Sequence, residues 1–145
     1  MISTLNDETT FYQNFLKDLI KAKKEVIIES PFITTERMKI FRPIFKELVE
    51  KGVKIFVVTR DPREHEGDYK WQAEEEISYF EKTGIQALLC KGNHHRKLAM
   101  IDRKIIWEGS LNILSQSKSR EIMRRIEEKK LAVEMFEFLK YNKVI

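Results

Sequence analysis

His95 and Lys97 stand two residues apart, Asp102 follows after four more, and a further six lead into Gly109-Ser110-Leu111-Asn112. Side chains alternate across an extended strand, so His95 and Lys97 share one face, as do Ser110 and Asn112 where that segment stays extended. An imidazole, an ammonium, a hydroxyl and an amide can then converge on one anionic group. The set suits a phosphodiester, whose negative charge repels nucleophiles and whose leaving alkoxide is basic. Lys97 can pair with one non-bridging oxygen while Asn112 donates an amide N–H to another, which favours the charge of the transition state. Gly109 lets the backbone turn sharply or approach closely, and Ser110 is placed to bind or orient the phosphate. His95 suits the nucleophile because a neutral imidazole is available near pH 7, its unperturbed pKa being about 6.5. Asp102 has the opposite strand parity, so it is expected to support the site through hydrogen bonds or ion pairs without touching the phosphate.

The order His-x-Lys, four residues, Asp, six residues, Gly-Ser-x-Asn resembles the signature of the phospholipase D superfamily at all six fixed positions. Six identities at fixed spacing arise by chance in about 10⁻⁶ of chains this size, so coincidence is set aside. The resemblance implies a layered α-β-α domain and a metal-independent reaction without a cofactor. It implies that His95 forms a phosphohistidine which water later hydrolyses, and that a second histidine protonates the leaving oxygen. Many members of the family carry two copies of the motif, whereas this chain carries one. A complete site is therefore expected from a homodimer in which the His95 of each protomer meets at a two-fold axis, as in the single-motif endonucleases the chain resembles. Glu121 falls where members carry a downstream acidic residue that orients a catalytic histidine, so the resemblance adds it to the catalytic set.

Charge is unevenly spread along the chain. The net charge is +4, yet residues 1–90 hold 14 basic and 16 acidic side chains against 13 basic and 7 acidic in residues 91–145. Lys91, Arg96, Lys97, Arg103 and Lys104 crowd the motif in sequence, and Lys118, Arg120, Arg124 and Arg125 follow it. Such a field favours a polyanion: nucleic acid first, DNA ahead of RNA, and an anionic lipid surface second. A rival set of metal ligands, Cys90, His94 and His95, is disfavoured because adjacent histidines on a strand diverge and no second ligand pair stands at zinc-site spacing. Cys90 reads as a small buried hydrophobe.

At 145 residues the chain is expected to form a single domain over 1–145. No apolar run approaches the roughly 20 residues of a membrane span, and the start MISTLNDETT lacks a secretory pattern. The expectation is a cytoplasmic protein without stable membrane association.

The elements that must position the motif can be read in order. Asn6 or Asp7 is expected to cap a first helix reaching about Lys24, with Phe11, Phe15 and Leu19 on its buried face. Val26-Ile27-Ile28 reads as an inner strand ended at Pro31. Thr34 or Thr35 caps a second helix that Pro43 should kink or restart, and Gly52 ends it. Residues 53–59 form the clearest strand. Residues 60–69 read as a loop at a strand's carboxyl end that tunes substrate access, with His65 a solvated loop residue or a substrate contact. A helix from Tyr69 to Lys82 presents Glu74-Glu75-Glu76 to solvent and stops at Gly84, before a strand at 85–90. A hairpin, 98–101 with 105–108, turns at Asp102-Arg103-Lys104. Residues 121–126 suit a strand, although their charge density also fits a helix, and 127–141 close the chain as an amphipathic helix. The pattern predicts an α/β fold with a mixed β-sheet sandwiched between helices.

Three functions fit these residues. The first is a nucleic-acid phosphodiesterase, a nuclease. The second is a binding module of the same fold with little turnover, such as one part of a larger DNA-processing protein. The third, less favoured, is an anionic-lipid phosphodiesterase.

Overall fold

The computed structural model describes residues 1–145. Seven strands form one mixed sheet: β1 (Ile2–Asp7), β2 (Glu25–Glu29), β3 (Lys54–Arg60), β4 (Gln86–Cys90), β5 (Leu98–Ile101), β6 (Ile105–Gly109) and β7 (Ile122–Glu127). Their spatial order is β1-β7-β6-β5-β2-β3-β4. The segment β2-β3-β4 is parallel, each crossover being a helix, and the remaining pairings are antiparallel. Helices α1 (Phe11–Ile20), α2 (Thr35–Glu50) and α3 (Asp68–Thr83) cover one face, and α4 (Lys129–Phe138) covers the other. The α/β sandwich expected from the pattern is therefore present.

Strand alternation divides the core in two. Val26, Ile28, Ile55 and Val57 pack under Phe11, Phe15, Phe41, Phe45 and Phe80, while Ile27, Phe56, Leu98 and Met100 meet Ala132, Phe136 and Tyr141. Because β2 is covered on both sides, its next residue, Glu29, is drawn fully inside as well.

Several expectations need correction. The first helix begins at Phe11, with Thr10 at its N-cap, because residues 2–7 pair with β7 as an edge strand, Ile2 opposite Glu127 and Asp7 opposite Ile122. Asp7 does close that turn, accepting from Thr9 and Thr10 N–H. Pro43 leaves α2 unbroken and lies on the helix's exposed side, away from the core. Glu76 is buried and held by Arg42 through two carboxylate oxygens at 2.8 Å, so the acidic triplet is not wholly a solvated face. Burial pushes its carboxyl above the usual range, although Arg42 opposes the shift. Residues 60–69 are more ordered than a loop: Arg60 ends β3, Pro62–Glu64 form a 3-10 turn, and α3 starts at Asp68. His65 is buried there, its Nε2 lying 3.1 Å from Pro31 O and its ring against Phe32.

Other element expectations hold, although α1 ends at Ile20, short of Lys24, and α4 spans only Lys129–Phe138. Thr34 caps α2, accepting from Arg37 N–H, and Gly52 follows its end with φ +88°. The hairpin turns at residues 102–104, and the charged segment 122–127 is the strand β7. No helix is long and apolar enough to cross a membrane.

Candidate active site

The carboxyl ends of β2, β3 and β4, the start of β5 and the end of β6 lie at one end of the sheet. Here the two halves of the motif meet. Leu98 pairs with Glu108, and Gly109 N–H donates to Lys97 O at 3.3 Å. A side chain at Gly109 has no room: an added Cβ would stand 2.0 Å from Ile122 O. The glycine serves close approach of β6 to β7, with no unusual backbone angle required.

Residues 94–97 are extended but lie just before β5, and their alternation is the one expected of a strand. His94 and Arg96 turn to the α4 face. His94 Nε2 is 2.8 Å from Glu29 Oε1, without the alignment of a hydrogen bond, and Arg96 Nε donates to the same oxygen at 3.0 Å. The Tyr141 hydroxyl, from the 3-10 turn after α4, also donates to Glu29. Burial alone would raise the Glu29 carboxyl, but the close His94 ring nitrogen, the hydrogen bond from Tyr141 and the charge of Arg96 outweigh it and hold the group below the usual carboxylate range. The same burial, with Glu29 beside it, pushes the Tyr141 phenol up.

His95 and Lys97 take the other direction. Lys97 Nζ donates to His95 O at 2.8 Å, and Arg60 Nη2 lies 3.1 Å from His95 Nε2. Arg60 also donates to His94 O at 3.2 and 3.3 Å and stacks over the Phe32 ring. Partial desolvation, then the charges of Arg60 and Lys97, lower the His95 pKa, so the neutral, nucleophilic ring persists to more acidic pH than usual. Glu64 fixes the preceding turn, accepting from Gly92 N–H at 2.8 Å and Asn93 N–H at 3.0 Å.

The remaining motif residues are distributed differently from a single cluster. Asn112 lies in a segment tied to the start of α2: Leu114 N–H donates to Ser30 Oγ at 3.1 Å, and Thr34 N–H donates to Leu114 O at 2.9 Å. Tyr12 donates to Ile113 O at 2.7 Å, and burial pushes its phenol up to about 12. Asn112 Oδ1 is buried without a partner in the chain, so its amide is not spent on the fold. Ser110 sits in the β6–β7 seam, its Oγ accepting from Ile122 N–H at 3.1 Å. Glu121 accepts from Ser119 Oγ at 2.7 Å, and its carboxylate makes no bond to His95. Asp102 lies at the opposite end of β5, about 16 Å along the strand from Lys97, where it accepts from the backbone N–H groups of Lys23, Lys24 and Glu25 at 2.8 to 2.9 Å.

The basic side chains near the motif in sequence are likewise divided in space. Arg96 is committed to Glu29 and Arg103 to Glu25, while Arg103 and Lys104 flank Asp102 at the far end. Arg60 and Glu29 have no role in the sequence reading, which ends the inner strand at Pro31 without using Glu29 and begins a loop at Arg60. The available signal was a charged residue directly continuing a β-branched run.

A family model described as cardiolipin synthase, phospholipase D-like domain, matches residues 15–141. The chain belongs to the phospholipase D superfamily. Solved structures share its fold. Nuc from Salmonella typhimurium, a phospholipase D family member, superposes with a TM-score of 0.74 at 20% identity, covering 94% of this chain and 90% of that one. NucT from Helicobacter pylori gives 0.69 at 18% identity, covering 94% and 92%. Polyphosphate kinase from Porphyromonas gingivalis gives 0.70 at 11% identity over 97% of this chain but only 26% of its own. A search among curated protein sequences found no match. At these identities the superpositions speak to the fold.

Proposed function

We propose that the chain is a metal-independent phosphodiesterase acting on nucleic acid, with DNA preferred to RNA. The observation that carries this reading is the placement of His95: exposed, held neutral, and flanked by Arg60 and Lys97 where β5 meets Gly109. In the reaction a ring nitrogen of His95 attacks phosphorus, and the P–O bond to the leaving alkoxide breaks. The His95 of a second protomer, which enters the cycle protonated opposite the substrate's negative charge, gives that alkoxide its proton. Water then attacks the phosphohistidine with the same partner imidazole taking a proton, which frees His95 and releases a phosphomonoester. Lys97 and Asn112 hold the non-bridging oxygens, with Arg60 added to the charge that balances them. Ser110 and Gly109 set the backbone from which Asn112 departs; Glu121 and Asp102 act through the segments they brace.

The homodimer follows from one motif per chain. It is supported by apolar surface at the same end: Leu5, Ile122 and Phe138 are 64%, 62% and 80% exposed, and they line with Lys97 a groove of about 550 Å3. The test is hydrolysis of bis(p-nitrophenyl) phosphate and of a labelled oligonucleotide in excess chelator. Activity should disappear in His95→Ala, and an acid-labile phosphoryl group should be trapped on the unmodified chain. Binding of the oligonucleotide without any cleavage would favour the binding module instead, a reading to which the Lys97 ammonium, turned onto its own chain, gives some support. Sedimentation showing an active monomer would sink the shared site.

A further inference from the structure

The end of the sheet away from His95 carries a second concentration of positive charge. Three connections meet there: the turn after α1, the β5–β6 turn and the junction of β7 with α4. Asp102 ties the first two together through the backbone of Lys23, Lys24 and Glu25. Glu128 N–H donates to Lys104 O at 3.1 Å and brings in the third. Between them lies a hollow of about 330 Å3 lined by Lys23, Lys24, Lys104, Lys129 and Arg103.

The carboxylates around this hollow are already engaged. Asp102 serves three N–H groups, Glu25 holds Arg103 at 2.9 and 3.0 Å, and Glu128 caps α4 through Leu131 N–H at 2.9 Å. None of the four lysines makes an ion pair with these carboxylates. The positive end of α4 is met by the Glu128 carboxylate, and its first turn then carries Lys129 and Lys130 with no further acidic residue. Four exposed ammonium groups gathered on one concave surface repel one another, and a bound polyanion relieves that repulsion.

We infer that this hollow is a second nucleic-acid site, which grips the phosphate backbone at the pole of the domain opposite His95. Lysines act as point charges without a planar fork, which suits a backbone held irrespective of sequence. The lining has one apolar side chain, Val133, and offers little to enter a bilayer. The choice of nucleic acid over other polyanions rests on the substrate class proposed above. In a dimer joined at the His95 poles, the hollows lie at its two outer ends, so a long substrate is held beyond the cut while a small diester never reaches them.

The experiment compares the unmodified chain with a variant carrying Lys23→Gln, Lys24→Gln, Lys104→Gln and Lys129→Gln. Affinity for a fluorescent 40-base-pair duplex should fall by about 10-fold or more at low salt, and the slope of log K against log salt should flatten by about 2 to 4, each neutralised phosphate being worth about 0.9. Hydrolysis of bis(p-nitrophenyl) phosphate should stay the same, which also shows the variant folded; replacing the four lysines by arginine should retain duplex binding. Unchanged affinity and slope overturn the proposal. So does an equal loss on neutralising Lys39, Lys46, Lys70 and Lys82 of α2 and α3, since net charge alone would then explain it. Loss of binding to phosphatidylglycerol vesicles with duplex binding intact also overturns it, in favour of a membrane surface. The binding arm runs equally on His95→Ala, with circular dichroism as the check of folding, so a failure of the phosphodiesterase reading does not obscure the result.

Discussion

Arg60 Nη2 lies 3.1 Å from His95 Nε2, on a guanidinium that is itself buried at the end of β3. A fixed positive charge there disfavours protonation of the imidazole, adding to its partial desolvation. Arg60→Gln should therefore raise the His95 pKa toward the ordinary 6.5, so the acidic limb of kcat/KM moves to higher pH. At neutral pH the rate should fall about 10- to 100-fold through lost phosphate stabilisation. A pH–rate profile on the small diester, with the limb unmoved, would remove Arg60 from this role.

Glu29 positions the catalytic segment from behind, because it holds His94 and Arg96, the residues that alternate with His95 and Lys97. Glu29→Gln should lower kcat more than it changes KM and cost about 2 to 3 kcal/mol of stability, since one buried charge is removed from a paired set. The folded carboxyl is held below its ordinary value of 4.5, so its contribution to stability is present above that pH and is lost as pH falls through the folded value. Denaturant titrations between neutral pH and pH 3 should show a shallower acid loss in Glu29→Gln than in the unmodified chain.

Gly109 faces the backbone of β7, where a methyl group would stand 2.0 Å from Ile122 O. Gly109→Ala must push β6 from β7, at a cost of about 1 to 3 kcal/mol. The shift falls on the strand end that leads to Asn112, so activity should drop by more than the loss of folded protein accounts for. Urea unfolding and kcat measured on the same preparation separate the two effects.

Asp102→Ala removes the acceptor for three backbone N–H groups at the far end of β5. Stability should fall by about 2 to 3 kcal/mol, a drop in Tm of about 6 to 10 °C. The folded fraction should keep nearly unaltered kcat for the small diester. A large loss of kcat with Tm intact would instead place Asp102 in the chemistry.

The sheet was largely legible because its inner strands announce themselves by β-branched runs such as Val53–Thr59, and the helices by apolar residues at three- and four-residue spacing. β1 was not legible: ISTLND has exposed side chains along most of its length and owes its extended state to pairing with β7. The buried Glu76 was hidden for a related reason, since its partner Arg42 is distant in sequence on a neighbouring helix.

For the site, six identities at fixed spacing between His95 and Asn112 pointed to the family and to His95 as the proposed nucleophile, because chemistry depends on residue type and local spacing. Which charges surround that nucleophile depends on long-range pairing. Arg60 reaches His95 because β3 lies next but one to β5, and Glu29 reaches His94 because β2 lies between them. Arg103 and Lys104, near the motif in sequence, are carried to the opposite pole by the direction of β5. Local pattern therefore determined what could react. Only the packing of the strands decided which side chains act with it, since a single strand is long enough to separate neighbours in sequence by the length of the sheet.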